Sequence, residues 1–241
     1  MFLNRAPLPE NSHEKHPHIP ARRVLDRVVL GGSDGTIESV AMTAALNGVG
    51  VPFHTILIAG FAFAVAGGLS MFFSSYLSSR SEMDLLRIDI RRERMEIETE
   101  PEEEKAELED LLKKEGYDQK EVDVIMERLV KDKELWLKTQ LSHELRLHME
   151  DLATDPLVRP ASAGTAFFVL AMLTLSPYGF APGYLTALLL SLIFSLTALF
   201  VLASRVFTPS HFNLRAGLES VAIGGFAAML LYTVGLAIAT V

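Results

Sequence analysis

Runs without any Asp, Glu, Lys or Arg divide the chain, and they cover residues 39–79, 160–204 and 220–241. A helix needs about 20 apolar residues to cross about 30 Å of hydrocarbon. Each of the first two runs therefore has room for two helices, and the third for one. Turn-forming clusters interrupt the long runs: Asn47-Gly48-Val49-Gly50-Val51-Pro52 in the first, and Ser176-Pro177-Tyr178-Gly179-Phe180-Ala181-Pro182-Gly183 in the second. Glycine and proline so grouped mark turns rather than tolerated kinks. The pattern predicts five spans, at roughly 24–47, 53–79, 161–176, 184–204 and 217–240. The fold class is all-α, an integral membrane protein with a polar helical insert between its second and third spans.

Within the insert the periodicity is helical throughout. The second span runs on without glycine or proline from Glu82 to Glu98. Thr99-Glu100-Pro101 breaks it, and proline suits the first turn of a following helix. That helix, about 101–115, carries Leu108, Leu111 and Leu112 and stops at Gly116. Asp118 and Glu121 have the spacing of a capping box. Val122, Ile125, Met126 and Leu129 then form an apolar stripe. A last stretch, Lys133–Leu152, holds Leu135, Trp136, Leu141, Leu145 and Leu147. The expected partition is a tail at 1–23, spans at 24–80, an acidic helical domain at 81–159, and spans at 160–241.

Charge sharpens this picture. Residues 82–159 hold 24 of the 30 acids and 14 of the 22 bases, so the net charge of −8 belongs to the insert. With no cysteine and long apolar runs, a soluble enzyme, a disulfide scaffold and a disordered chain are all disfavoured. Lys and Arg in short loops face the cytoplasm. Arg22, Arg23, Arg27, Arg80, Arg87, Arg159, Arg205 and Arg215 all flank one side, whereas the turns at 47–52 and 177–183 are uncharged. The N-terminus and the insert are thus expected in the cytoplasm and the C-terminus outside. The first residues lack the apolar core of a signal peptide and read as a tail. Its His13, His16 and His18 are more simply incidental than metal ligands.

Ionisable groups within a span are costly and point to function. Asp34 and Glu38 lie four residues apart in the first span, Asp34 beside Gly35. Met71 in the second span offers a soft thioether, although such a residue is more often packing. Small residues recur in that span at Gly60, Ala64, Gly68, Ser70, Ser74 and Ser78, a pattern that permits close helix contact. In the last span Gly217, Gly224, Gly225 and Ala228 do the same. Glu93 with Glu96, and Glu104 with Glu107, are spaced to share helix faces, as a solvated surface or as oxygen ligands for a divalent cation. His143-Glu144-Leu145-Arg146-Leu147-His148 is not a zinc-protease motif, because its histidines are five apart. The insert has no Glu-x-x-His of the di-iron kind, and no phosphate-binding loop is present to drive an ATP-dependent pump.

Gly32-Ser33-Asp34-Gly35, Gly68-Leu69-Ser70-Met71 with Tyr76 and Ser81-Glu82, the acidic insert, and Ile223-Gly224-Gly225 together resemble the vacuolar iron transporter family, over roughly residues 24–241. The resemblance implies a homodimer that moves Fe2+, and in some members Mn2+, out of the cytosol in exchange for protons. It implies that Asp34 and Met71 line the path. It also implies that the insert binds metal through Glu93, Glu96, Glu104, Glu107 and Glu144. The family has a methionine one turn before that last glutamate, and Gln140 stands there here. Glu38 is an additional carboxylate, either ligand or proton carrier. No cofactor beyond the transported or bound metal is expected, nor catalytic residues, nor a nucleic-acid partner. The membrane is that of a bacterial cell or a vacuole. A manganese-selective exporter, a membrane-bound iron-oxidising enzyme and a metal sensor are the alternatives.

Overall fold

The computed structural model describes residues 19–143, 156–206 and 212–240. Among the described residues the chain is helical, with no strand. In order come α1 (Ile19–Val49), α2 (Phe53–Thr99), α3 (Pro101–Glu115), α4 (Gln119–Leu129), α5 (Lys133–His143), α6 (Val158–Leu175), a 3-10 turn (Ser176–Gly179), α7 (Tyr184–Val206) and α8 (Leu214–Ala239). Four helices, α2, α6, α7 and α8, are long and apolar enough to cross a membrane, as befits a multi-pass membrane protein. The sequence predicts five. The fifth, α1, falls short in hydropathy because Asp34, Glu38 and a run of Gly, Ser and Thr dilute its apolar residues.

Position compensates for that polarity. Helix α1 packs against α2, α6, α7 and α8, and Thr36, Ser39, Val40, Thr43 and Ala44 along it are all but inaccessible. A Cβ on Gly31 would overlap the carbonyl of Ala163, and one on Gly35 the carbonyl of Phe167. The α1 and α6 backbones therefore touch, which small residues alone allow. Gly48 and Gly235 bring α1 and α8 together in the same way.

Polar groups fasten the bundle toward the end where the turn at residues 50–52 lies. The Asn47 amide donates to the Tyr178 hydroxyl at 2.5 Å, Ser191 donates to the Thr174 carbonyl at 2.8 Å, and the Thr174 and Ser195 hydroxyls lie 3.0 Å apart. Each such bond between helices contributes about 0.6 kcal/mol in a membrane protein. At the opposite end Glu82 of α2 meets Arg27 of α1 at 3.6 Å and Arg159 of α6 at 3.0 Å.

The small residues of α2 divide between two faces. Gly60, Ala64 and Gly68 are buried, but the stripe continues through Ser75 and Ser79. Ser70, Ser74 and Ser78 are exposed. Ser70 stands two residues after Gly68, about 200° around the helix, and so begins a second row on the opposite face.

The insert is a separate small core. Ile97 of α2, Leu108 and Leu112 of α3, Val122, Met126 and Leu129 of α4, and Trp136, Leu137 and Leu141 of α5 pack together. Helix α2 runs unbroken from the bundle into this cluster, as its lack of breakers predicts. Gly116 ends α3 at φ 106°, a left-handed conformation that suits glycine. The capping box forms: Asp118 Oδ1 accepts from the Glu121 amide at 3.0 Å, and Glu121 Oε2 accepts from the Asp118 amide at 2.8 Å. Such caps contribute about 1 kcal/mol. Helix α5 is described only to His143, so Leu145 and Leu147 lie outside the described residues.

Candidate functional site

Two places gather the candidate chemistry. The first is the side of α1 that faces away from its buried stripe. Asp34 is half-buried there and Glu38, one turn on, is exposed. Their orientation follows from helix geometry, because Gly31 and Gly35 commit the adjoining face to α6. An acid at the middle of a helix inside an apolar bundle requires water, a cation or another chain beside it.

Met71 approaches from α2. It packs on the cluster of Ala64, Phe167 and Ala171. Gly67 of α2 lies against the Phe167 ring, and Gly35 of α1 against the Phe167 backbone. Phe167 is thus flanked by the residue next to Asp34 on one side and by the Met71 cluster on the other. Phe167 therefore links the Met71 cluster to Gly35, the neighbour of Asp34.

The second place is the insert, where the paired glutamates divide. Glu93 and Glu104 are buried, at 6% and 7% exposure, each one turn before a core residue, Ile97 and Leu108. Their companions face outward. Glu96 accepts from the Arg92 guanidinium at 2.9 Å, and this hydrogen bond, with the added attraction of the Glu96 charge, pushes Arg92 above its usual range. Glu107 is exposed. By burial, Glu107 is open to solvent and Glu96 half-open, as either reading of the pairs allows. The solvated-surface reading does not describe Glu93 and Glu104, since carboxylates are seldom taken into a core without a partner.

One partner of Glu104 is visible. The Gln140 side chain, fully buried, donates from Nε2 to Glu104 Oε2. In turn it accepts at Oε1 from the Trp136 indole at 2.7 Å. Beside this chain His143 Nδ1 pairs with Glu115 Oε1 at 2.7 Å. Among the described residues no three carboxylates or imidazoles gather as a metal site. Glu144 and His148, with the tail histidines His13, His16 and His18, lie outside the described residues.

Sequence reasoning missed the Trp136–Gln140–Glu104 chain and the Glu82 bridge. Both depend on contacts distant in sequence. The only local trace of the first was a polar residue, Gln140, amid the leucines and tryptophan of an apolar helix face.

A model of the VIT family matches residues 25–236. Vacuolar iron transporter 1 of Tulipa gesneriana is 31% identical over 239 residues, covering 98% of this chain and 96% of the relative. Vacuolar iron transporter 1 of Arabidopsis thaliana is 29% identical, over 89% of this chain and 86% of the relative. Vacuolar iron transporter 2 of Oryza sativa subsp. japonica is 32% identical, over 76% of this chain and 74% of the relative.

Proposed function

Because the chain belongs to the VIT family, we propose that it is a secondary transporter, moving Fe2+, and Mn2+ beside it, out of the cytoplasm in exchange for protons. The observation that carries this reading is the pair of acids Asp34 and Glu38, one turn apart on the helix that the four apolar helices surround. Carboxylates suit both tasks, holding a divalent cation when ionised and a proton when neutral. The relatives are named as transporters and not as enzymes, which removes the ground for an iron-oxidising activity.

In this reading α1 is the fifth span. Its 31 residues give a length of about 46 Å at 1.5 Å per residue, enough to cross the hydrocarbon. The N-terminus and residues 81–159 are cytoplasmic and the C-terminus lies outside. The insert collects metal through Glu93, Glu96, Glu104, Glu107 and Glu144, and Asp34, Glu38 and Met71 line the path. A second copy covers the acid-bearing side of α1, since an exposed Glu38 cannot face lipid. A manganese-selective exporter is the second reading, favoured by Gln140, which brings no sulfur to the insert's glutamates.

The test is uptake into sealed proteoliposomes of Fe2+ and of Mn2+ separately, with the internal pH recorded. Metal entry accompanied by proton exit supports the exchange. Metal entry that leaves the pH gradient unchanged rejects the coupling, and no entry of either metal rejects transport.

A further inference from the structure

Trp136, Gln140 and Glu104 make a hydrogen-bonded chain across the core of the insert, with exposures of 2%, 0% and 7%. Its direction is set at one end. An indole N–H can only donate, so the atom of Gln140 lying 2.7 Å from it is the carboxamide oxygen. The amide's NH2 is then the group turned toward Glu104 Oε2. Gln140 meets Glu104 purely as a donor, and the oxygen through which an amide could hold a hard cation is engaged by the tryptophan.

We propose that Trp136, acting through Gln140, is a positioning residue for Glu104 as a metal ligand, and that the pair biases the insert toward hard divalent cations such as Mn2+ over softer ones such as Co2+. This rests on the reading of the insert as a metal-binding domain. Glu104 Oε2 accepts from the amide, and this bond fixes the orientation in which the carboxylate is presented. Groups that hold a ligand in this way tune both affinity and geometry. The low-dielectric surroundings strengthen each bond of the chain. With its oxygen fixed on the indole, Gln140 supplies neither sulfur nor oxygen to the ion, and the ligand it holds in place is a carboxylate, the type that suits Mn2+.

Trp136 is the chain's single tryptophan, so its emission reports on one end of the chain. The full-length protein in detergent is titrated with Mn2+ and, separately, Co2+, with dissociation constants from equilibrium dialysis and emission read on the same samples. In the unaltered protein, Mn2+ changes Trp136 emission with the midpoint found by dialysis. Trp136→Phe keeps a ring and loses the N–H, and Gln140→Leu keeps the volume and loses both bonds. Each weakens Mn2+ binding about 10- to 100-fold, and Gln140→Leu abolishes the Mn2+-dependent emission change. Gln140→Met shifts the Mn2+/Co2+ affinity ratio toward Co2+ by about tenfold or more. If Trp136→Phe and Gln140→Leu bind Mn2+ within twofold of the unaltered protein while Glu104→Gln does not, the positioning role is refuted and the metal site stands. If Glu104→Gln itself binds normally, the metal-site reading fails and the positioning role falls with it. An emission maximum of metal-free Gln140→Leu already moved to the red makes Gln140 a packing residue and overturns the proposal.

Discussion

At the scale of single residues, the molecule places its acids in three environments, and each makes a different prediction. Asp34 is half-buried beside the backbone contact of Gly35 with α6. Asp34→Asn keeps the shape and removes the charge, so metal flux into proteoliposomes should fall at least tenfold while expression and helix content hold. Glu38 is exposed, and Glu38→Gln distinguishes its two possible roles. As a proton carrier, its loss leaves metal binding intact and uncouples flux from internal pH. As a ligand, its loss weakens apparent affinity and leaves coupling intact. In the insert, Leu108 is wholly buried in the nine-residue core, and Leu108→Ala should cost about 2–5 kcal/mol of insert stability, read from Trp136 fluorescence in urea. Asp34 and Glu38 could be picked out from sequence because acids within a stretch long enough to span a membrane are conspicuous. The division of the glutamate pairs could not. Spacing of three puts Glu93 near Glu96 on one helix face, but only the fold reveals which of them the core covers.

At the scale of elements, punctuation and packing leave different traces. Helix α3 begins at Pro101 and ends before Gly116 as its breakers predict, and α4 starts behind its capping box. Such boundaries are local, and local chemistry spells them out. The central position of α1 has no local signature, since the same acids and small residues that lower its hydropathy are what allow its neighbours to close around it. Glu82 is similarly opaque, because its two arginines come from α1 and α6. The contact of α1 with α6 gives a clean comparison. Gly35→Ala drives a methyl group into the Phe167 carbonyl and should lower the thermal midpoint by several degrees or prevent assembly. Gly225→Ala meets nothing within 4 Å, and in mid-helix it should leave the midpoint unchanged or raise it slightly. Thermal melts of the two variants in the same detergent decide the matter. Equal midpoints would mean that the α1–α6 approach is looser than the backbone contact implies.

At the scale of the whole molecule, orientation is the property to measure, and a chain without cysteine suits single-cysteine labelling. Gly183 has open space around it, and Gln119 is exposed at the start of α4. Gly183→Cys should react with an impermeant maleimide on intact cells, and Gln119→Cys only after lysis. The reverse pattern would invert the topology. Four apolar helices were legible in the charge-free runs and are long and apolar enough to span, whereas the acids and small residues of α1 keep its hydropathy low. The unbroken course of α2 carries a further consequence. Its 47 residues extend about 70 Å, against about 30 Å of hydrocarbon, so Glu93 stands about 20 Å above Arg80 on a stiff mast. In the reading proposed here, the insert's glutamates and the mouth of the path keep a fixed separation, and an ion that leaves the one reaches the other by diffusing through about 20 Å of water.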